Sequence, residues 1–300
     1  VPTGRQNLSI TLIGYESTSV SDIDVTSGKD VLITVSMIEK FNTLDEIVVS
    51  SGSNKSKPVN KMAIVSTKQF SPEEVSRFSG GRSDVARLVS YFAGVSTGDD
   101  TRNDIVVRGN SPSGMLWRVE GIPVPNPNHF ATLATTGGPV SALNPNLLAN
   151  SDFLTSAFPA EYGNAIGGVF DLGFRKGNPD EYEYMVSVGA YPGVEAMAEG
   201  PLGKTGGSFL AAARYGFVGV TGLAGTAAQP NYHDISFNVD FGKHKIGNFS
   251  IFGIYGASNI DFLGEDIDTD DPFAAKDEDG YVTSEFTSVG LKHNLDIGNN

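Results

Sequence analysis

The chain has 300 residues, and its 35 acidic against 21 basic side chains leave a net charge of −14, which excludes nucleic-acid binding through a basic patch. The absence of Cys removes disulfides, zinc–thiolate centres and catalytic thiols. Abundant Gly (36), 10% aromatics and only 19% charged residues favour a β-rich chain with many turns over a helical one.

No run approaches the ~18 consecutive apolar residues of a membrane helix, a test to which barrel strands are blind. Neither a signal peptide nor an initiator Met opens the chain, so Val1 is read as not the natural start.

Residues 1–40 alternate as strands. Leu8, Ile10 and Leu12 point away from Ser9, Thr11 and Ile13, residues 13–16 make a turn, and Val31, Ile33 and Val35 repeat the period until Met37. Residues 44–53, LDEIVVSSGS, place a β-branched trio between two acids and a flexible tract. Such a strip either adds to a partner's sheet edge or forms one more strand of the preceding segment.

Ser71-Pro72-Glu73-Glu74 is a helix start, with Ser as N-cap, Pro at N1 and Glu at N3 closing a capping box; the helix stops at Gly80-Gly81. A second helix puts Val85, Leu88, Val89 and Phe92 on one core face, with Gly94 as its C′ residue. Strands over 105–108, 115–119, 151–157 and 168–174 complete a compact mixed α/β unit. Ser111-Pro112-Ser113-Gly114 supplies a turn, so 105–119 reads as a hairpin-like pair carrying a buried or half-buried Arg108. Residues 125–130, PNPNHF, are read as irregular, because prolines lack a donor and restrict their predecessors.

From residue 180 the period is two. Tyr182, Tyr184, Val186, Val188 and Ala190 alternate with polar or small neighbours, as do Phe209 to Tyr215 and Ile235 to Phe241, and further strands fit 247–262 and 281–297. Short connections (201–207, 242–246) alternate with long ones (216–234, 263–280), the mark of a transmembrane barrel.

Two patterns carry a family resemblance: Arg108-Gly109 with Glu120-Gly121-Ile122-Pro123, and Tyr162-Gly163 with Gly167-Gly168-Val169. Together they resemble the plug of TonB-dependent outer-membrane receptors, a small globular domain inside a large barrel. Glu120 stands where that family usually has Asp, and Phe170-Asp171-Leu172 replaces its usual Ile-Asn and Thr-Lys ending, which leaves the cargo unassigned. The resemblance implies that residues 1–40 end a carboxypeptidase-regulatory-like β-sandwich, without peptidase residues. It makes 41–57 the TonB box and linker, with Asp45, Glu46, Ile47, Val48 and Val49 gripped by a TonB-type periplasmic energy transducer. It makes 58–176 the plug and 177–300 the first strands of the barrel. About six strands fit there against the ~22 of a plugged transporter, so the chain reads as part of a longer receptor.

The resemblance further implies that Arg108, Gly109, Glu120, Gly121, Tyr162, Gly163, Gly167 and Gly168 form the plug core. Within it Arg108, as an interior cation, requires a partner and is read as a lock within the plug core or between plug and barrel wall, with cargo contact as the alternative. The loop with Asn126, Asn128, His129 and Phe130 is either a cargo contact or a plain connection.

Enzyme signatures are missing. Residues 109–113 lack the closing Gly of a nucleophile elbow, residues 163–168 lack the dinucleotide spacing, and the four His are scattered, so neither a catalytic residue nor a cofactor or metal is expected. The loop 261–280 holds nine carboxylates, with Asp266, Asp268 and Asp270 at calcium-loop spacing. Asp271 replaces the required Gly and Asp277 the closing Glu, so a solvated loop is the better reading. The expected function is active import of a scarce, bulky nutrient (siderophore, cobalamin, oligosaccharide or peptide) across the lipid of a Gram-negative outer membrane. The alternative is a surface-binding or adhesive β-protein without transport.

Overall fold

The structure, a computed structural model, describes residues 2–25, 30–38, 58–60, 62–63, 65–98, 102–132, 135–189, 193–203, 206–216, 228–262 and 280–295. It divides into two compact units, Val1–Lys57 and Pro58–Asn300.

In the first unit β1 (Gly4–Ile10) pairs antiparallel with β2 (Thr18–Val25). The expected turn between them forms, Tyr15 N donating to Leu12 O at 3.0 Å. Residues 31–35 are not a strand: this stretch has no ladder partner among the described residues, and Glu16 N instead donates to Ile38 O at 2.8 Å. Alternation gives an extended chain, and a strand also needs a neighbour.

In the second unit β3 (Thr67–Phe70) leads into α1 (Pro72–Arg77). The capping box is present, with Glu74 N on Ser71 Oγ and Ser71 N on Glu74 Oε2. The next helix, α2 (Val85–Val89), opens on the Asp84 carboxylate and ends at Ser90, earlier than the periodicity suggested. Tyr91 N and Phe92 N reach back only three residues, so the chain tightens and leaves Phe92 and Gly94 outside the helix.

Two short hairpins follow: β4 (Val95–Thr97) with β5 (Ile105–Val107), and β6 (Met115–Val119) with β7 (Ile122–Val124). Residues 105–119 are therefore not a hairpin. Arg108 and Gly109, at φ 50° and 80°, close a tight turn onto Asn110, and a 3-10 helix (Pro112–Gly114) carries the chain into a different sheet. Further on, β8 (Asn128–His129) pairs with β9 (Val140–Ser141). That corrects the reading of 125–130 as wholly irregular; the proline restriction ends at Pro127.

Two strands, β10 (Ser151–Leu154) and β11 (Gly168–Leu172), complete a five-stranded sheet of order β3-β10-β11-β6-β7, in which β11 and β6 are parallel. Both are shorter than expected: Thr155 N turns to Ser66 O, and Gly173 N turns to Ser151 Oγ. One face of the sheet is aromatic, with Trp117 stacked on Phe170 at 4.0 Å and Phe153 beside it at 4.7 Å. Register aligns Gln69, Asp152, Asp171 and Arg118 in a polar row on the other face.

Strands β12 (Glu183–Gly189), β13 (Gly193–Leu202), β14 (Gly207–Gly216), β15 (Ala228–His244), β16 (Gly247–Phe262) and β17 (Gly280–Asn294) form one antiparallel sheet in sequence order, the six strands expected. Tyr184, Val186, Val188, Ile235, Val289 and Leu291 lie exposed on its outward face. On the inward face Met197, Leu210, Ala212, Phe252 and Ile254 join Leu148, Phe170 and Phe174 in one buried cluster. The sheet thus wraps the α/β part as a wall. It is open, since β12 and β17 do not pair with each other. No helix among the described residues is long and apolar enough to cross a membrane, which says nothing of strands.

Candidate functional site

The polar row holds the start of the α/β part. Asp152 Oδ1 accepts from Val59 N at 3.0 Å and Oδ2 from Asn60 N at 2.8 Å. Asn60 Nδ2 donates to Glu161 Oε1 and to the Tyr162 hydroxyl, both at 2.6 Å, and Tyr162 donates to Asp171 Oδ2 at 2.6 Å. Arg118 covers the Tyr162 ring at 4.9 Å and reaches Glu161 Oε2 at 3.0 Å. Burial pushes the Asp152 carboxyl up, against the pull of the two amides. It also raises Asp171 and the Tyr162 phenol, whereas the bond from Asn60 holds Glu161 down.

A second set of contacts fixes the α/β part to the wall. Arg175, just beyond β11, forks onto Glu199 at 2.6 and 2.7 Å, and Asn178 N adds a third bond to that carboxylate at 3.0 Å. Lys176 meets Asp240 at 2.5 Å. Asn144 and Asn146 both donate to Glu195 Oε1, at 2.8 and 2.9 Å. Deeper in, Arg214 binds Asp234 at 2.9 Å and Ser141 O at 2.9 Å, while His129 Nε2 shares Asp234 Oδ2 at 2.9 Å. Burial holds the His129 imidazole below its ordinary range, with Asp234 pulling the other way. A carboxylate only accepts, so Nε2 carries the hydrogen of this bond, and Nδ1 has no partner among the described residues.

The residues singled out in the sequence fall at separate places. Asp45, Glu46, Ile47, Val48 and Val49 lie outside the described residues, as does most of the acidic loop. Arg108 is not an interior cation: its turn puts the side chain on the surface beside an exposed Gly109. The half-buried arginine of this region is Arg118. Glu120 and Gly121, at φ 50° and 85°, form the two-residue loop between β6 and β7. Glu120 Oε1 accepts from Phe174 N at 2.6 Å and Oε2 takes Lys292 at 2.7 Å. Tyr162 is buried and Gly163 exposed. Ile166 N and Gly167 N both donate to Gly114 O, an approach so close that a Cβ on Gly167 would lie 3.2 Å from the Gly114 carbonyl carbon.

The 126–130 stretch does not present its side chains to the outside. Asn126 donates to Thr135 O, Asn128 to Asn126 Oδ1, and Asn103 bridges Asn128 to Asp84. Burial pushes the Asp84 carboxyl up. Asn128, His129 and Phe130 are buried, Phe130 N donating to Ser258 Oγ on the wall at 2.8 Å. Asn60, Arg118, Asp152, Glu161 and Asp171 were missed. The available signal was an acid within a strand beside large apolar residues, as in VFDL and, after a Ser, SDFL. Among the described residues no cluster of His, Asp and Glu is arranged to hold a metal ion.

A family model described as the TonB-dependent receptor plug domain matches residues 60–169. No curated protein matches the chain. Among solved structures, the siderophore receptor PirA from Acinetobacter baumannii is similar at TM-score 0.50 and 15% identity, over 77% of this chain and 38% of that one. The outer membrane transporter YddB from Escherichia coli gives TM-score 0.50 and 14% identity, over 77% of this chain and 37% of that one. The ferric enterobactin receptor PfeA from Pseudomonas aeruginosa gives TM-score 0.50 and 15% identity, over 78% and 39%. The chain spans about two fifths of the length of these proteins, and the likeness is one of fold.

Proposed function

We propose, for a chain that carries the plug domain of a TonB-dependent receptor at residues 60–169, that it serves active import of a scarce, bulky nutrient. Its place is the outer membrane of a Gram-negative cell. The supporting observation is the two-faced wall: apolar outward, as lipid requires, and inward a set of charged side chains bonded to the plug. A wall bonded so closely around a stopper closes the pore until something moves the stopper.

On this reading the TonB-type transducer grips Asp45–Val49 and draws, through the linker 50–57, on residues 58–60. Residues 1–40 end a regulatory-like β-domain, and 177–300 begin the barrel. Glu120, Gly121, Tyr162, Gly167 and Gly168 hold the plug's shape, while Arg108 is free to pair outside the plug. Cargo meets surfaces other than Asn128, His129 and Phe130. Siderophore, cobalamin, oligosaccharide and peptide all suit the architecture.

Deleting 45–49 in the full-length gene is the test. Uptake should stop while cargo still binds to cells. Uptake that survives the deletion refutes the energised reading, and cargo binding without uptake in the intact protein would favour a surface-binding role.

A further inference from the structure

The plug is held differently at its two ends. Where the chain leaves for the wall, Arg175, Lys176 and Asn178 are tied to Glu199 and Asp240, and Asn238 Nδ2 donates to Arg175 O at 2.9 Å. Two carboxylates and a side-chain amide secure three residues, one of them by a fork. Where the chain enters, Val59 and Asn60 are not in a strand, and one carboxylate, Asp152, holds both of their amides. The next element, β3, is a four-residue edge strand that among the described residues pairs with β10 alone, the strand that bears Asp152. Pro58 brings no amide of its own to the segment.

We propose that Asp152 is a releasable catch: it clamps the entry segment 58–60 to the plug sheet, and its release lets this segment and β3 leave while the exit stays tied to the wall. The inference rests on the reading that 45–49 is pulled. Three features suit a catch. Both backbone bonds converge on one side chain, so losing it frees both amides in a single step and leaves only the Asn60 side chain to hold the segment. Asp152 is fully buried and sits opposite the partly exposed Asp171 in the register, so its charge lies beside a like charge. Departure of 58–60 uncovers Asp152, which favours release once the first bond opens. Asn60, bound to Glu161 and Tyr162, sets the clamp in register, and Ala63, wholly buried beside Tyr162 and Leu154, lies directly behind it.

None of the 300 residues is Cys, so an Ala63→Cys substitution in the full-length receptor places a single reporter thiol in this chain behind the catch. A membrane-impermeant maleimide, admitted by mild permeabilisation of the outer membrane, reads its exposure with and without the inner-membrane proton gradient. Asp152→Asn keeps size but sets an amide against the Asn60 N–H; it should raise labelling of Cys at 63 in de-energised cells roughly tenfold. Asn60→Ala should give a smaller rise, because both clamp amides persist. A reporter thiol at Leu148, near the exit, should stay protected throughout. If Asp152→Asn leaves labelling at 63 unchanged while uptake still depends on 45–49, the catch is wrong and the pulling reading stands. Should uptake not depend on 45–49, the pulling reading fails first. Equal exposure at 63 and 148 would mean general unfolding, and that too overturns the proposal.

Discussion

Lys292, on the last described strand of the wall, places its ammonium 2.7 Å from Glu120 at the tip of a plug hairpin 172 residues earlier. Glu120 sits at φ 50°, a conformation costing a residue with a Cβ roughly 1–2 kcal/mol. Two contacts stabilise it there, and they are unequal. The Phe174 amide depends on Glu120 Oε1 in a part-buried setting, whereas Lys292 is 43% exposed and its pairing is screened by solvent. Glu120→Ala should therefore destabilise the full-length protein by about 1–3 kcal/mol, and Lys292→Met by less than about 1 kcal/mol. Chemical denaturation of the two variants checks the order; equal losses would refute it.

The buried pair Arg214–Asp234 makes a sharper case. Arg214 is 8% and Asp234 1% exposed, so removing either partner strands a charge away from water. Asp234→Leu should cost about 3–5 kcal/mol, and adding Arg214→Met should recover part of it, the remainder being the partners lost to His129 Nε2 and Ser141 O. A double-mutant cycle on thermal unfolding measures this. Additive losses would show that the pair is not coupled.

His129 gives the pH dependence a sign. Burial lowers its folded pKa below the ordinary value of about 6.5. As pH falls through about 6.5 the unfolded chain takes up a proton before the folded chain does, so stability present at neutral pH is lost on acidification. The raised carboxyls of Asp84, Asp152 and Asp171 act oppositely: the folded state binds their protons first, and their contribution is lost as pH rises from about 4 through their raised folded values. His129→Gln, which keeps a donor for Asp234 but does not titrate, should remove the loss that His129 contributes, so from pH 7 to pH 5.5 its melting temperature should fall less, or rise more, than that of the parent. An unchanged slope would place the titrating group elsewhere.

Much of this is legible in the sequence alone. The capping box at Ser71–Glu74 is local chemistry, and period-two alternation from Tyr182 onward assigns each side chain to one face of the wall. Partners far along the chain were not legible. Arg108 and Arg118 both follow β-branched or aromatic residues, yet Arg108 precedes a Gly that turns the chain outward, and Arg118 lies inside a strand. The companions of Arg118, Glu161 and Asp171, arrive more than 40 residues later. Asp152 betrayed itself as an acid among apolar neighbours, but its partners are backbone amides 92 and 93 residues earlier, and no pattern of residue types encodes an amide. Asn128 and His129 read as loop because their burial is set by Asn103 on one side and Asp234 on the other.

The glycines of the YGNAIGGV motif separate by what surrounds them. A Cβ at Gly163 would meet nothing within 4 Å, and its φ is one that L-residues adopt, so Gly163→Ala should be neutral or stabilise by up to about 1 kcal/mol by restricting the unfolded chain. At Gly167 the added methyl would lie 3.2 Å from the Gly114 carbonyl carbon, 3.3 Å from Ser111 O and 3.3 Å from Met115 Sδ. Two of these three are backbone atoms, held by the bonds that Ile166 and Gly167 make to Gly114 O. The turn and β6 would have to separate, and Gly167→Ala should cost about 1–3 kcal/mol. At Gly168 the nearest atom is the flexible Met115 Cε at 3.0 Å, with Leu154 O behind it at 3.1 Å. Met115→Ala should therefore recover a larger share of the loss from Gly168→Ala, where two of the three contacts are Met115 atoms, than of that from Gly167→Ala, where one is. Unfolding midpoints of the three single variants and the two doubles test this, and a rescue of Gly167→Ala as large as that of Gly168→Ala would contradict the geometry.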